Sequence, residues 1–257
     1  MVTQNMPLET SEDAVLGGRL VLRQPRRGHR VGHDAILLAA ATSAFAGEHA
    51  VDLGAGVGAA GLALARRVEG LSVTLVEIDL ALAQFGRDNA ERNGLADRAR
   101  AVCLDVTASV VAFAAAGLEE ESADRVLMNP PFNASQNSSP EPGRRLAHDA
   151  SKVTLRQWVY AASRLLRVGG VLTLIWRADG LDEVLAELSS GFGAIAVLPI
   201  HPKPGAPAIR VLARAAKGSR VPLSLLPGFV LANADGKPSD AAEQVLRGGA
   251  VLPLAEI

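Results

Sequence analysis

The residues whose types could do chemistry together begin at Asn129-Pro-Pro-Phe132. They follow a short apolar run ending at Met128, which reads as a buried strand. Two prolines directly after a strand fix a stiff turn and remove two backbone donors, leaving carbonyls free to point outward. The Asn129 side-chain oxygen and the Pro130 carbonyl can then accept both hydrogens of one planar amino group. A nitrogen held in this way loses conjugation, and its lone pair turns toward an incoming electrophile. Phe132 offers a face on which a flat base can stack, worth about 1–3 kcal/mol in single-strand binding. No strong general base is needed, because an ammonium formed by the transfer sheds its proton readily. The plainer alternative is a proline-rich loop with an incidental asparagine.

The electrophile needs a holder of its own. Ala50-Val-Asp-Leu-Gly-Ala-Gly-Val-Gly-Ala-Ala-Gly61 reads as a strand, a turn with glycines at alternate positions (Gly54, Gly56, Gly58) and the start of a helix over 59–67. This order lays a ligand against bare backbone near a helix N-terminus. Gly56-Val-Gly58-Ala-Ala-Gly61 also satisfies the dinucleotide pattern, so the glycines alone admit a nicotinamide-dependent dehydrogenase. Against that, Asp52 sits inside the first strand end, and no Tyr-Lys or His-based hydride site follows the fourth strand. Glu77 comes about twenty residues after the turn, where an acid can accept hydrogen bonds from ribose hydroxyls. A solvated strand-end acid is its bland reading. Asp105 ends a third strand and could receive an adenine amino group, with the Val106 amide serving a ring nitrogen. Capping the following helix is an equally good role for Asp105.

The elements that would carry these residues alternate. Strands are expected at 71–76, 99–104, 124–128 and 171–176, with closing strands at 194–200 and 209–215. Helices are expected at 34–44, 59–67, 79–93, 106–116, from 155 to a stop at Gly169-Gly170, and around 181–188. Residues 12–23 alternate around Gly17-Gly18 like a small β-hairpin, and 134–145 are a loop by composition. The sum is an α/β chain with a doubly wound parallel sheet, whose ligands bind beyond the carboxyl ends of the strands. The expected organisation is a single domain over 1–257: a hairpin extension (1–32), a catalytic core (33–216) and a tail packing back on the core (217–257).

Asp52-Leu-Gly-Ala-Gly-Val-Gly58, Glu77 and Asn129-Pro-Pro-Phe132 together resemble class I S-adenosylmethionine-dependent methyltransferases that modify exocyclic amines. Arg30-Val-Gly-His-Asp-Ala-Ile-Leu-Leu38, the basic hairpin and Ala208-Ile-Arg-Val-Leu-Ala-Arg214 are similar to segments of the bacterial tRNA1(Val) adenine-N6 methyltransferase family. The resemblance implies a Rossmann-like fold with a mostly parallel seven-stranded sheet, one antiparallel strand, helices on both faces and a small N-terminal β-hairpin. It implies methyl transfer to an adenine amino group in a tRNA anticodon loop. By matched positions Asp34, Asp52, Gly54, Gly56, Gly58, Glu77 and Ile78 would contact S-adenosylmethionine, with Asp105 and Val106 at its adenine. Asn129, Pro130, Pro131 and Phe132 would hold the target base, with Asn129 also facing the donor. Asn-Pro-Pro-Phe is shared with ribosomal RNA guanine-N2 methyltransferases, and many tRNA members carry Tyr at the last position, so Phe132 does not identify the base. Release-factor glutamine methyltransferases use a related motif, but carry a helical domain for which the roughly fifty residues before the turn leave little room. A non-catalytic RNA-binding module would have no use for a donor pocket and Asn129 together.

Composition sets the remaining bounds. With 257 residues, 49% hydrophobic and 21% charged, the chain can bury a large core. No apolar run approaches the roughly 18 residues that span a bilayer. Cys103 stands alone in an apolar run, which predicts a buried thiol and a reducing, cytoplasmic setting. A net charge of -1 argues against binding nucleic acid by bulk charge. Two basic runs nonetheless lack any acid: Arg19, Arg23, Arg26, Arg27 and Arg30, and Lys203, Arg210, Arg214, Lys217 and Arg220. If they converge, they form a polyanion surface, with Arg26, Arg27, Arg30, Lys203 and Arg210 as phosphate contacts to an RNA. No metal is expected.

Overall fold

The chain enters through a hairpin of β1 (Thr10–Val15) and β2 (Leu20–Pro25), antiparallel from Thr10↔Pro25 to Val15↔Leu20. The computed structural model describes residues 9–27, 30–131 and 142–256, and of 142–153 only the backbone course. After α1 (His33–Ala41) come β3 (His49–Leu53), α2 (Ala59–Arg67), β4 (Ser72–Glu77), α3 (Leu80–Arg92) and β5 (Ala99–Cys103). The second half adds α4 (Val110–Ala115), β6 (Ala123–Met128), α5 (Pro142–Leu165), β7 (Leu166–Arg177), α6 (Leu181–Leu188), β8 (Phe192–His201) and β9 (Arg210–Lys217). Two short strands, β10 (Ser224–Leu225) and β11 (Phe229–Val230), precede α7 (Asp240–Leu246).

The strands of the main sheet lie in the order β8-β9-β7-β6-β3-β4-β5, with the chain's direction reversing between β6 and β4 on either side of β3. All neighbours in that row are parallel except β9, which runs antiparallel to β7 and β8. These seven strands, with one antiparallel, match the sheet that the family resemblance implies. The central strand β3 is built from Ala50, Val51 and Leu53, all fully buried, because helices cover both of its faces. One apolar layer joins α1 and α2 to the sheet through Leu38, Leu62, Leu64 and Leu75. The other joins α5 and α6 through Leu155, Ala162, Leu165 and Val184.

Four expectations change. The helix before β7 begins by Pro142, inside the stretch read as a loop, and ends at Leu165 rather than at the glycine pair. Gly169 and Gly170 lie within β7, where the register on β6 jumps from Ala123↔Leu166 to Arg125↔Val171. There the pair makes a bulge: a Cβ on Gly170 would sit 2.9 Å from the Arg167 carbonyl. The helix expected at 106–116 starts only at Val110, capped by Ser109, because the Asp105 side chain closes a tight turn first. The tail is more ordered than its mixed pattern suggests, since β10 and β11 each pair with β8 and extend the sheet beyond seven strands. Cys103, read as a core thiol, is exposed at the end of edge strand β5, and its Sγ–H donates to the Ile78 carbonyl at 3.4 Å. Residues 132–141, and with them Phe132, lie outside the described residues.

Side-chain amides attach the hairpin to the core. Asn89 on α3 and Asn93, the residue that caps its C-terminus one turn later, face the outer edge of β2. The Asn89 oxygen accepts from the Arg23 amide at 2.8 Å, while its Nδ2 donates to the Arg23 and Val57 carbonyls at 3.0 Å. Asn93 repeats the pattern on Val21, at 2.9 Å to the amide and 2.8 Å to the carbonyl. The helix thus satisfies a strand edge as a neighbouring strand would. Asn89 is fully buried, so Asn89→Ala strands three backbone groups and should cost about 3 kcal/mol in urea denaturation. Asn89→Asp should fail to rescue it, since a carboxylate has no N–H for the two carbonyls.

Candidate active site

The β3–β6 register sets the geometry. Leu53 pairs with Met128, so Gly54 and Asn129 follow side by side on strands about 4.8 Å apart. The donor-type turn and the amine-holding turn are therefore adjacent at the carboxyl end of the sheet.

Two buried carboxylates shape the turn. Asp52 is 2% exposed, and its Oδ2 accepts the Gly61 amide at 2.8 Å, drawing the first turn of α2 onto the strand end. Glu77, at the end of β4, accepts the Gly56 amide on Oε2 at 2.8 Å and the Asp79 amide on Oε1 at 2.9 Å. Each Glu77 oxygen keeps a second lone pair for a ligand hydroxyl. Asp52 has no such opening to solvent: its side chain works from beneath the turn, which makes it a positioning residue. Burial pushes the Asp52 carboxyl up to about 7; the Gly61 amide opposes the rise and the charge on Glu77 adds to it.

Within the turn, Gly54 has φ +69° and Gly56 φ +57°. A Cβ on Gly54 would lie 2.3 Å from the Trp158 ring, so backbone strain and the indole of α5 both require glycine there. A Cβ on Gly56 would meet nothing within 4 Å. The Gly56 backbone borders open space on the side where a ligand would lie.

Asn129 is partly exposed, yet its Oδ1 is buried without a hydrogen-bond partner among the described residues. A buried acceptor left unmade costs about 1–3 kcal/mol. An N–H donor brought by a ligand removes that cost. Pro130 behind it is buried and Pro131 is exposed. Around the same strand ends, Ile78 is 65% exposed, and Asp105 uses Oδ1 on the Thr107 amide and hydroxyl, leaving Oδ2 outward. Val106 is buried. Glu77 pairs with Cys103, so Ile78 follows one strand end while Asp105 and Val106 follow the other. The open Gly56 backbone and the spare lone pairs of Glu77 are chemistry that suits S-adenosylmethionine, and the Asn129 acceptor beside them suits an N–H donor.

Asp34 and Arg210, expected to serve separate ligands, form one ion pair: Arg210 Nε donates to Asp34 Oδ2 at 3.0 Å. Arg30 pairs with Asp13 at 2.8 Å, so an acid from β1 answers a basic run that is free of acids in sequence. Hydrogen bonds from Gln24 and Ser11, with Arg30 and Arg26 adding charge, hold the Asp13 carboxyl below its usual range. Arg26 donates Nε to the Thr10 carbonyl at 3.1 Å; Arg27 and Lys203 are exposed. Sequence reasoning missed Trp158, whose place in a helical apolar stripe gave no sign that its ring reaches Gly54.

Comparison with known proteins gives the chain a family. The profile of the methyltransferase small domain family matches residues 31–203. A tRNA1(Val) (adenine(37)-N6)-methyltransferase of Porphyromonas gingivalis is 32% identical over 60% of this chain, the match spanning 61% of that enzyme's length. A predicted O-methyltransferase from Agrobacterium tumefaciens superposes with a TM-score of 0.72 at 32% identity, covering 85% of this chain and 98% of that one. A 16S rRNA N2 methyltransferase of Thermus thermophilus, solved with AdoMet and guanosine, gives 0.58 at 25% identity, covering 82% and 51%.

The Asp52 carboxyl gives the stability a definite pH dependence. Its value is raised from 3.8 to about 7 on folding, so between those values the native chain holds a proton that the unfolded chain has released. Stability from this group is complete below pH 3.8 and is lost as pH rises through about 7. Urea denaturation across that window should show the decline, at up to about 1.4 kcal/mol per pH unit. Asp52→Asn, which still offers Gly61 an acceptor, should flatten it. An unchanged slope in that variant would place the titration elsewhere.

Proposed function

The chain belongs to the methyltransferase small domain family, and from that premise we propose that it methylates an exocyclic amino group of an RNA base, N6 of adenine in a tRNA anticodon loop. The observation that carries the reading is the buried Oδ1 of Asn129 beside the glycine turn, without a partner among the described residues. S-adenosylmethionine, bound on that turn, supplies a methyl group on a sulfonium that leaves as a thioether. Asn129 Oδ1 and the Pro130 carbonyl accept the two amino hydrogens, which holds the nitrogen with its lone pair toward the glycine turn. Methylation leaves an ammonium that loses one proton to water. Glu77 and the Gly56 backbone fix the donor's position, and closeness then supplies much of the acceleration.

The target base cannot be reached inside a duplex, so the RNA presents it unstacked. Phe132 would stack against it. Arg26, Arg27 and Lys203, all exposed, serve as phosphate contacts. Arg30 and Arg210 serve the same end only by exchanging a carboxylate partner for a phosphate. Asp34, in the first turn of α1 and paired with Arg210 of β9, acts on the donor side. A tRNA substrate sets the reaction in the cytoplasm; among the described residues no helix is long and apolar enough to cross a membrane. One domain over 1–257 suffices for this reading.

Nucleoside mass spectrometry of RNA from cells lacking the protein, after treatment with the purified enzyme and donor, should show new N6-methyladenosine in tRNA. New N2-methylguanosine in ribosomal RNA would overturn the adenine reading. Asn129→Ala should lower kcat at least about 100-fold while S-adenosylhomocysteine binding by calorimetry stays within about threefold. Replacing Arg26, Arg27 and Lys203 together should weaken RNA binding and reduce its salt slope by about 2–3.

A further inference from the structure

A second cationic cleft lies well away from the glycine turn. The nine residues of α2 carry the chain about 13 Å from that turn, toward the amino ends of the strands. In the last turn of α2, Arg66 and Arg67 face Arg19 from the hairpin turn across a cleft of about 160 Å³. The rest of the lining is apolar or glycine, including alanines of α1 and Ala250 of the C-terminal segment, and among the described residues no acidic side chain takes part.

The three guanidiniums are held but not neutralised. Arg67 Nη2 donates to the Ala39 carbonyl at 3.0 Å and to that of Thr42, capping the end of α1. Arg19 donates Nε to the Leu16 carbonyl and Nη2 to the Arg247 carbonyl, each at 3.1 Å. Arg66 Nη2 donates to the Asn93 carbonyl. Each guanidinium carries five N–H groups, so several donors on each are left for a ligand. Carbonyl dipoles and the α1 C-terminus offset part of the charge. Burial nonetheless holds the Arg67 value below that of a free arginine, the mark of a cation with no nearby anion.

We infer that this cleft is a second ligand site, which takes a phosphate-sized oxyanion between Arg19, Arg66 and Arg67. Charge and donor geometry both favour a group with several acceptor oxygens, and the cleft has room for one phosphate together with water. The phosphate can belong to the RNA backbone or to a free phosphorylated compound; both present the same group. Because the hairpin, α1, α2 and the C-terminal segment all contribute, occupancy ties the two ends of the chain to the core. The site stands apart from the identity of the methylated base.

Inorganic phosphate is the probe, compared with chloride at equal ionic strength. Phosphate should raise the Tm of the full chain and bind in calorimetry. Arg66→Gln should weaken that binding about tenfold. Ala250→Glu, which puts a carboxylate at the rim, should abolish it. S-adenosylhomocysteine affinity should stay the same in both variants, which shows that they fold. An equal phosphate effect in the wild type and both variants, or none in the wild type, would overturn the site. The RNA arm then assigns the source. A reduced salt slope for RNA in Ala250→Glu marks a backbone phosphate, whereas unchanged RNA binding together with lost phosphate binding marks a free compound.

Discussion

The grip of two carboxylates on one glycine turn is the constraint on which the rest of this structure depends. Asp52 pulls the α2 amide of Gly61 down onto the end of β3, and Glu77 pulls the Gly56 amide sideways onto the end of β4. Neither group is cheap to bury: both are under 10% exposed, and burial pushes the Asp52 carboxyl up to about 7. The fold accepts that cost because a turn of bare backbone has no side chains of its own to fix its shape. Trp158 completes the hold by packing its ring on Gly54. A ligand meets a turn that is already set.

Adjacency follows from the sheet. Parallel pairing of β3 with β6 brings Gly54 and Asn129 to the same level, although 75 residues separate them in sequence. The strand-order reversal at β3 leaves a crevice there, which is where doubly wound sheets bind ligands. Group transfer needs two turns within a few ångströms. Neighbouring parallel strands provide that spacing without any special loop.

Arginine in this chain is mostly a structural residue. Arg98 Nη1 reaches the Ala65, Val68 and Leu71 carbonyls. Arg125, 7% exposed, makes a forked pair with Glu48 at 2.9 and 2.6 Å. Arg30 and Arg210 meet acids from distant segments. Counting basic residues along the sequence therefore overstates the free positive charge. The guanidiniums that face a cleft with no acid, near the hairpin turn, are the ones that stand out.

The sequence by itself determined the order of elements, the glycine turn, the acids at the strand ends and the Asn-Pro-Pro turn. Each of these rests on short-range physics: buried runs, glycine at positive φ, proline after a strand. Helix α2 falls on 59–67 as its pattern predicts, and Asp79 caps α3 by accepting the Ala81 and Leu82 amides. Only the tertiary structure decided what depends on a partner far away in sequence. It put Asp52 beneath the turn rather than on its open side, and made Asp34 and Arg210 a pair. It exposed Cys103 because β5 is an edge strand, and turned Gly169-Gly170 from a helix stop into a bulge against β6. It also set Asn89 and Asn93 along the edge of β2 and carried the Trp158 ring onto Gly54. A side chain's type and spacing state what it can bond to. Which group it meets is fixed only when the sheet has brought distant segments together.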